Sequence, residues 1–307
     1  MLTFSRRAVL SAAAAVLLLG AARGPAGASE TVPVVATFSI LGDFVRVVGG
    51  ARVSVRTLVG PDGDAHVYNP SPADARAVAE ARAVFVNGLG FEGWIERLVK
   101  ASGTRASLVV ATRGISPRVM EDADGHGHDH GAKDPHAWQS VANAKVYVAN
   151  VRDGLVAADP DGAPVYQANA AAYLAELDRL DAEVRAAIGR VPPAERRVLT
   201  SHDAFGYFAA AYGVTFLAPQ GVSTEAEATA KDVARLIRLI RKEKIKAVFV
   251  ETITDPRLAD RIARETGVAL GGEIYSDALS PSTGPAATYI DMVRHNVKLL
   301  TAAMAGS

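Results

Sequence analysis

Four of the seven histidines in this 307-residue chain fall between Glu121 and Trp138, in the stretch EDADGHGHDHGAKDPHAW. His126, His128 and His130 alternate with Gly127 and Asp129, between Gly125 and Gly131. No helix or strand favours that composition, so a solvated loop is expected over 121–131. Imidazole is the commonest protein ligand for borderline metals, and a His-rich tract is a compositional sign of metal capture. A polar surface loop with no ligand would read the same way. Directly after it, Asp134-Pro135-His136-Ala137-Trp138 is a turn that fixes one histidine beside a large aromatic. One histidine held by a turn and three held loosely suggest a binding site with an auxiliary capture segment.

Three further positions share the context of His136. His66, His202 and Asp277 each follow or flank a predicted strand C-terminus, on a turn rather than a helix face. In open α/β sheets, ligands bind outside the carboxyl ends of the strands. Three imidazoles and a carboxylate are a complete tetrahedral shell for Zn²⁺. Separations near 70 residues are not a local metal motif, and a lone histidine after a strand is more often a hydrogen-bonded core or surface residue. Spacing alone leaves convergence open.

The elements that must position these residues alternate along the chain. Strands are expected at 34–38, 53–58, 83–86 and 108–110, with helices at 40–48, from Pro72 and around Trp94, Ile95, Leu98 and Val99. Ser71, Pro72 and Asp74 form a capping-box start. From Pro164 to Gly189, apolar residues recur every three to four positions without a break, which predicts one long amphipathic helix. Strands at 197–201, 214–218 and 247–250 follow, with helices at 204–212, 231–244, from Pro256, and from Pro285 to about Ala303. The expected fold is α/β: two lobes with mainly parallel sheets, joined by one long rigid helix, with the site in the cleft between them. The expected divisions are 1–28, 29–158, 159–192 and 193–307.

Residues 1–28 read as a secretory signal. Arg6 and Arg7 precede an apolar run from Ala8 to Leu19, and Ala26-Gly27-Ala28 is a small-residue cleavage site. Ser5-Arg6-Arg7 also fits a twin-arginine signal. With no cysteine in the chain, disulfides are excluded and a lipid anchor on cysteine is not expected, which places the protein free in the periplasm. Acidic and basic residues balance at 33 each, which argues against a nucleic-acid partner. A monomer is expected.

Two decoys and two rival classes need weighing. Gly88-Leu89-Gly90-Phe91-Glu92-Gly93 fits G-x-G-x-x-G, but Glu92 would set a negative charge near a pyrophosphate and no acid follows near 110–113. It reads as a tight strand-to-helix turn lining the cleft. His295, on the last helix, is assigned no role. A zinc hydrolase keeps a coordination position open for water; Asp277 would close it, and neither HExxH nor GxSxG is present, so no enzyme is expected. A stand-alone metal buffer is the other rival. Glu251, Asp64 and Asn87 are candidates for orienting a histidine.

A set of longer motifs runs through the chain: Pro61-Asp62-Gly63-Asp64-Ala65-His66-Val67-Tyr68 with Pro70-Ser71-Pro72-Ala73-Asp74, Asn87-Gly88-Leu89-Gly90-Phe91-Glu92, Asp134 to Trp138, Ser201-His202-Asp203-Ala204-Phe205 with Tyr207-Phe208, and Asp277 ahead of Gly284 and Tyr289. With these, the chain resembles the metal-binding subunits of bacterial ABC importers for zinc and manganese, over essentially its whole mature length. The resemblance implies two small (β/α) lobes joined by one long helix, and metal ligands at His66, His136, His202 and Asp277. It also implies a membrane permease with a cytoplasmic ATPase as partners; a periplasmic metallochaperone is a further partner expected. Manganese members commonly carry a carboxylate where this chain has His202, and some zinc members have an acid where it has Ala65. Nitrogen-rich shells favour Zn²⁺ over Mn²⁺, and the His-rich loop marks zinc importers in that family. The cargo expected is therefore Zn²⁺, with Mn²⁺ or iron as the alternative. Because imidazole must be neutral to bind, affinity is expected to fall below about pH 6.5.

Overall fold

Among the described residues, short runs of valine, phenylalanine and leucine form eight strands in two parallel sheets. The computed structural model describes residues 31–119, 133–226, 229–243 and 245–306. The export signal expected at 1–28, and His126, His128 and His130, lie outside the described residues. The first sheet contains β1 (Val32–Phe38), β2 (Val53–Val59), β3 (Ala83–Val86) and β4 (Ser107–Val110), in the order β2-β1-β3-β4. The second contains β5 (Arg197–Leu199), β6 (Thr215–Leu217), β7 (Ala247–Glu251) and β8 (Ala269–Ile274), in the order β6-β5-β7-β8. All the strand pairings are parallel. Every residue of β3 is buried, as a parallel strand covered on both faces requires. In each sheet the strand order reverses between the first strand and the third, so each has its switch point, and hence its natural ligand crevice, beside its first strand.

The helices follow the expected pattern with two differences. In the first lobe, α1 spans Ser39–Gly49, α2 Pro72–Glu80 and α3 Ile95–Ser102. The α2 start is the capping box read from the sequence: Ser71 Oγ accepts from Asp74 N, and Asp74 accepts from the Ser71 N–H. Helix α4, Val141–Ala158, was not expected. It buries Val141, Ala144, Tyr147, Val148, Val151 and Leu155, a helical period hidden by the alanines and valines around it. At Gly154 a Cβ would meet Val109 and Phe85, so this glycine lets α4 lie directly on the sheet.

Helix α5 (Ala163–Gly189) is the long helix, about 40 Å at 1.5 Å per residue. It buries Tyr166, Ala170, Tyr173, Leu177, Leu180, Val184 and Ile188 along one stripe, against α1 and α4. Then come α6 (Gly206–Tyr212), α7 (Ala230–Glu243), α8 (Pro256–Thr266) and α9 (Tyr289–Ala305). The last begins four residues after Pro285, because Thr288 is its N-cap and accepts from Asp291 N.

One hydrophobic core runs from the first sheet through α5 and α9 into the inner side of the second sheet. A separate, smaller cluster beneath α7 and α8 holds Leu236, Ile240, Val248 and Ile262. No helix among the described residues is long and apolar enough to cross a membrane.

Candidate metal centre

Each of the four expected site residues is set by local chemistry at the end of a strand. His66 lies between β2 and α2, where Asp64 Oδ1 accepts from its N–H at 2.9 Å. Trp94 Nε1 donates to the carbonyl of buried Ala65 at 2.8 Å, and Phe91 meets the His66 ring edge-on. Phe91 is presented by the Gly88–Gly93 turn, where Gly88, Leu89 and Gly90 all have positive φ. There Glu92 is buried and accepts from Thr37 Oγ1 and from the N–H groups of Asn87 and Gly88. The decoy motif is thus a turn braced by its own carboxylate.

His136 follows β4. Asp134 Oδ1 accepts from both the His136 N–H, at 3.0 Å, and ring Nδ1, at 2.9 Å. His202 follows β5, and its N–H donates to Glu251 Oε1 at 2.8 Å. Glu251 Oε2 lies 2.6 Å from His202 Nδ1 as an ion contact, off the line a hydrogen bond would need. In both rings a carboxylate engages Nδ1 and leaves Nε2 to face the site. Carboxylates that orient ligand imidazoles in this way typically matter 10–100-fold in metal affinity. Of the candidate orienting residues, Glu251 is in place. Asp64 and Asn87 reach backbone and hydroxyl groups instead. Asp134 was missed, though its place two residues before His136 suits it to receive both the backbone and the ring N–H.

The four side chains converge. His66 Nε2 is 3.3 Å from His136 Nε2 and 3.2 Å from Asp277 Oδ2. His136 Nε2 and His202 Nε2 are 3.6 and 3.2 Å from the same oxygen. One atom from each of the four residues can be chosen so that all lie within 4.8 Å of one another. Three ring nitrogens crowd Asp277 Oδ2, yet neither carboxylate oxygen accepts a hydrogen bond, and His202 Nε2 has no partner either. A fully buried carboxylate without donors is costly, and a cation at the centre would remove the cost.

The protonation states carry the same strain. Burial opposes a charge on His136, but Asp277 and Asp134 outweigh it and push its pKa up to about 9. His202 is buried too, yet Glu251 and Asp277 hold its pKa well above the ordinary value. Burial would raise Asp277, and the two imidazoles hold it well below the usual carboxylate range instead. All these shifts favour positive charge beside Asp277, the charge that a cation would supply.

His66 is the one member with measurable exposure, 7%, against 0% for the other three. It lines a cavity of about 330 Å³ with Tyr68, Trp94, Arg97 and Glu225, the open side of the site. A larger cavity of about 490 Å³ lies between β5 and α8 and is lined by none of the four. His295 is remote, with its Nε2 at the Glu273 carbonyl.

Residues 34–303 match the family model described as zinc-uptake complex component A, periplasmic. The chain belongs to this family. Among its relatives, the manganese-binding lipoprotein MntA of Halalkalibacterium halodurans is 36% identical over 268 residues, 87% of each chain. The iron-binding protein YfeA of Yersinia pestis is 33% identical over 277 residues, 90% of this chain and 88% of that one. The periplasmic zinc binding protein TroA from Treponema pallidum has the same fold, with a TM-score of 0.83 at 29% identity over 89% of this chain and 99% of that one.

As a member of the zinc-uptake component family, the chain is the metal-binding subunit of an ABC importer and not an enzyme, and a permease and an ATPase complete such an importer. One expectation is corrected. The relative from H. halodurans is named a lipoprotein, and streptococcal relatives carry the same word. A protein free of any lipid anchor therefore does not stand as the expected state. The lack of cysteine bore on a single attachment chemistry.

The pH expectation also moves. With His136 at about 9 in the metal-free protein, proton competition begins there rather than near 6.5, because neighbouring carboxylates stabilise the imidazolium. Metal affinity should fall by about tenfold per pH unit for each proton displaced as pH drops from about 9. The linkage to metal-free stability has the opposite sign. The raised His136 pKa contributes stability in full below about 6.5, lost as pH rises through about 9. A competition titration from pH 9.5 to 6 checks this; a flat affinity over that range would count against it. Glu251→Gln should lower affinity by about 10–100-fold without changing stoichiometry, measured by the same titration.

Proposed function

We propose that His66, His136, His202 and Asp277 hold Zn²⁺ as cargo, captured in the periplasm and delivered to the permease of the importer. The observation that carries this reading is the spacing of the four donors. A tetrahedral ion with arms of about 2.0–2.1 Å needs six donor-to-donor edges of about 3.3–3.4 Å; four of them measure 3.2, 3.2, 3.3 and 3.6 Å, and all lie within 4.8 Å. Three nitrogens to one carboxylate favour zinc over manganese at equal geometry. The cargo needs no catalytic water, and a shell closed by Asp277 suits a carrier.

Manganese, or iron, is the second reading. Both Asp277 oxygens lack donors, so the carboxylate is able to bind through two oxygens and raise the coordination number, as harder ions prefer. Relatives named for manganese and iron binding favour it as well.

Residues 1–28 are proposed as an export signal, 29–158 and 193–307 as the two lobes, and 159–192 as the connecting helix. His126, His128 and His130 are proposed as auxiliary capture ligands. A periplasmic metallochaperone would deliver to them.

The test is a chelator-competition titration of metal-free protein with zinc and manganese side by side. One tight zinc site, weakly competed by manganese, supports the zinc carrier. Equal or tighter manganese binding moves the assignment to manganese, and no tight site for either ion removes the reading.

A further inference from the structure

By sequence the four donors divide evenly, two from each half of the chain. Their anchorage divides differently. Asp277 follows β8 of the second sheet, and Tyr275 is still held on that side by Asn296 of α9, but from Ser276 onward the hydrogen bonds run to the first lobe. The Ser276 carbonyl accepts from Gln139 Nε2 at 2.7 Å and from Trp138 Nε1 at 2.9 Å. Two residues on, the Leu279 N–H donates to Ser39 Oγ at 2.9 Å, and its carbonyl accepts from the Asp62 N–H at 3.0 Å. Farther along, the Tyr289 N–H donates to Asp43 Oδ2 on α1. The segment carrying Asp277 is thus stitched to β1–α1, to the loop before His66, and to the turn after His136.

His202 is held quite otherwise. Its N–H goes to Glu251 at the end of β7, and its carbonyl accepts from Thr200 Oγ1. The next N–H, of Asp203, donates to the Gly221 carbonyl. All these partners belong to the second lobe. Links from this side to the first lobe run through side chains, among them Thr224 Oγ1 to Asp64 Oδ2, Tyr207 OH with Arg118 and Asp134, and the packing of α6 on the turn after His136. None of these hydrogen bonds involves the backbone of His202.

From this we infer that the centre is divided three to one: His66, His136 and Asp277 form a preassembled half-shell on the first lobe, Gln139 is the positioning residue that sets Asp277 in it, and His202 alone couples the second lobe to the cargo. The inference rests on the metal reading above and adds to it which contact carries the conformational signal. An ion entering by the exposed edge of His66 meets three fixed donors first; the second lobe then joins through one imidazole backed by Glu251. Release needs only that one bond to lengthen with the movement of its lobe.

The chain has no cysteine, so a spin-label pair at Glu80→Cys on α2 and Arg238→Cys on α7 reports the distance between lobes cleanly. In the otherwise wild-type protein, adding zinc ions should shift that distance. In His202→Ala zinc should still bind one-to-one, more weakly, and leave the distance unshifted. A two-and-two division predicts the reverse, because Asp277 would still draw the second lobe. Gln139→Met keeps the volume but loses the donor. It should weaken zinc by about tenfold to a hundredfold, and manganese more than zinc, since manganese leans harder on the carboxylate. A purely structural role would lower both ions equally. Trp138→Phe, which removes the other donor, gives the same direction if Gln139→Met does not fold. A retained shift in His202→Ala, no shift in the wild type, or unchanged metal binding in both clamp variants overturns the division. Wild-type protein that binds no divalent ion fails the metal reading instead, and the two failures are thereby distinct.

Discussion

Asp277→Asn is expected to weaken zinc binding by about 10²–10⁴-fold, because it removes the one carboxylate that faces all three Nε2 atoms. The figure follows from the cost of removing one member of a buried charge pair, about 3–5 kcal/mol, at about 1.4 kcal/mol per factor of ten. The substitution conserves shape, so the loss reads charge and not packing. A second signature accompanies it. Burial opposes charge on His136 and His202, and Asp277 is among the groups that reverse this. Without it both imidazoles should lose their protons at lower pH, and the onset of the pH dependence of affinity should move to lower pH. Isothermal titration at two pH values checks both statements. Binding within threefold of wild type would mean the carboxylate is not a donor, and the tetrahedral assignment would fall.

Saturating metal should raise thermal stability by a large step. At a free zinc concentration about a thousand times the dissociation constant, binding to the native state alone adds about 4 kcal/mol. For a chain of this size each kcal/mol moves the midpoint by about 2–4 °C, so Tm should rise by about 8–16 °C between chelated and zinc-loaded protein. Calorimetry of the two forms reads it directly. The sign is secure because the site draws on both lobes, with donors drawn together from residues 66 to 277, and cannot persist in the unfolded chain. The rise should be greatest near neutral pH and shrink in acid, where protons displace the cargo from His136 and His202. A rise of under 2 °C at saturation, or an equal rise in Asp277→Asn, would place the bound ion elsewhere.

Much of this was legible in the residues. The valine-rich runs and the unbroken period from Tyr166 to Ile188 specify strands and the long helix locally, because burial periodicity is written one turn or one pleat at a time. The capping box at Ser71 is a four-residue event and was read in full. Helix α4 was not, because alanine and valine on its outer side blur the stripe that Tyr147, Val151 and Leu155 bury. The role of Asp134 is only half legible: its place two residues before His136 suits it to the backbone N–H, and the ring contact follows from how the His136 side chain packs.

The sequence by itself determined the donor types, three imidazoles and one carboxylate, and placed each at a strand end, where chemistry in parallel sheets collects. It also determined that the donors come from separate stretches, which requires a folded protein to bring them together. Tertiary structure alone decided that one donor atom from each of the three rings and from Asp277 lies within 4.8 Å of the others. It decided that carboxylates hold two of those rings by Nδ1 and raise their affinity for protons. And it decided that Asp277, late in the chain, is fastened to the first lobe by Trp138 and Gln139. Distances of this kind depend on packing between elements more than a hundred residues apart, and local propensity carries no information across that gap.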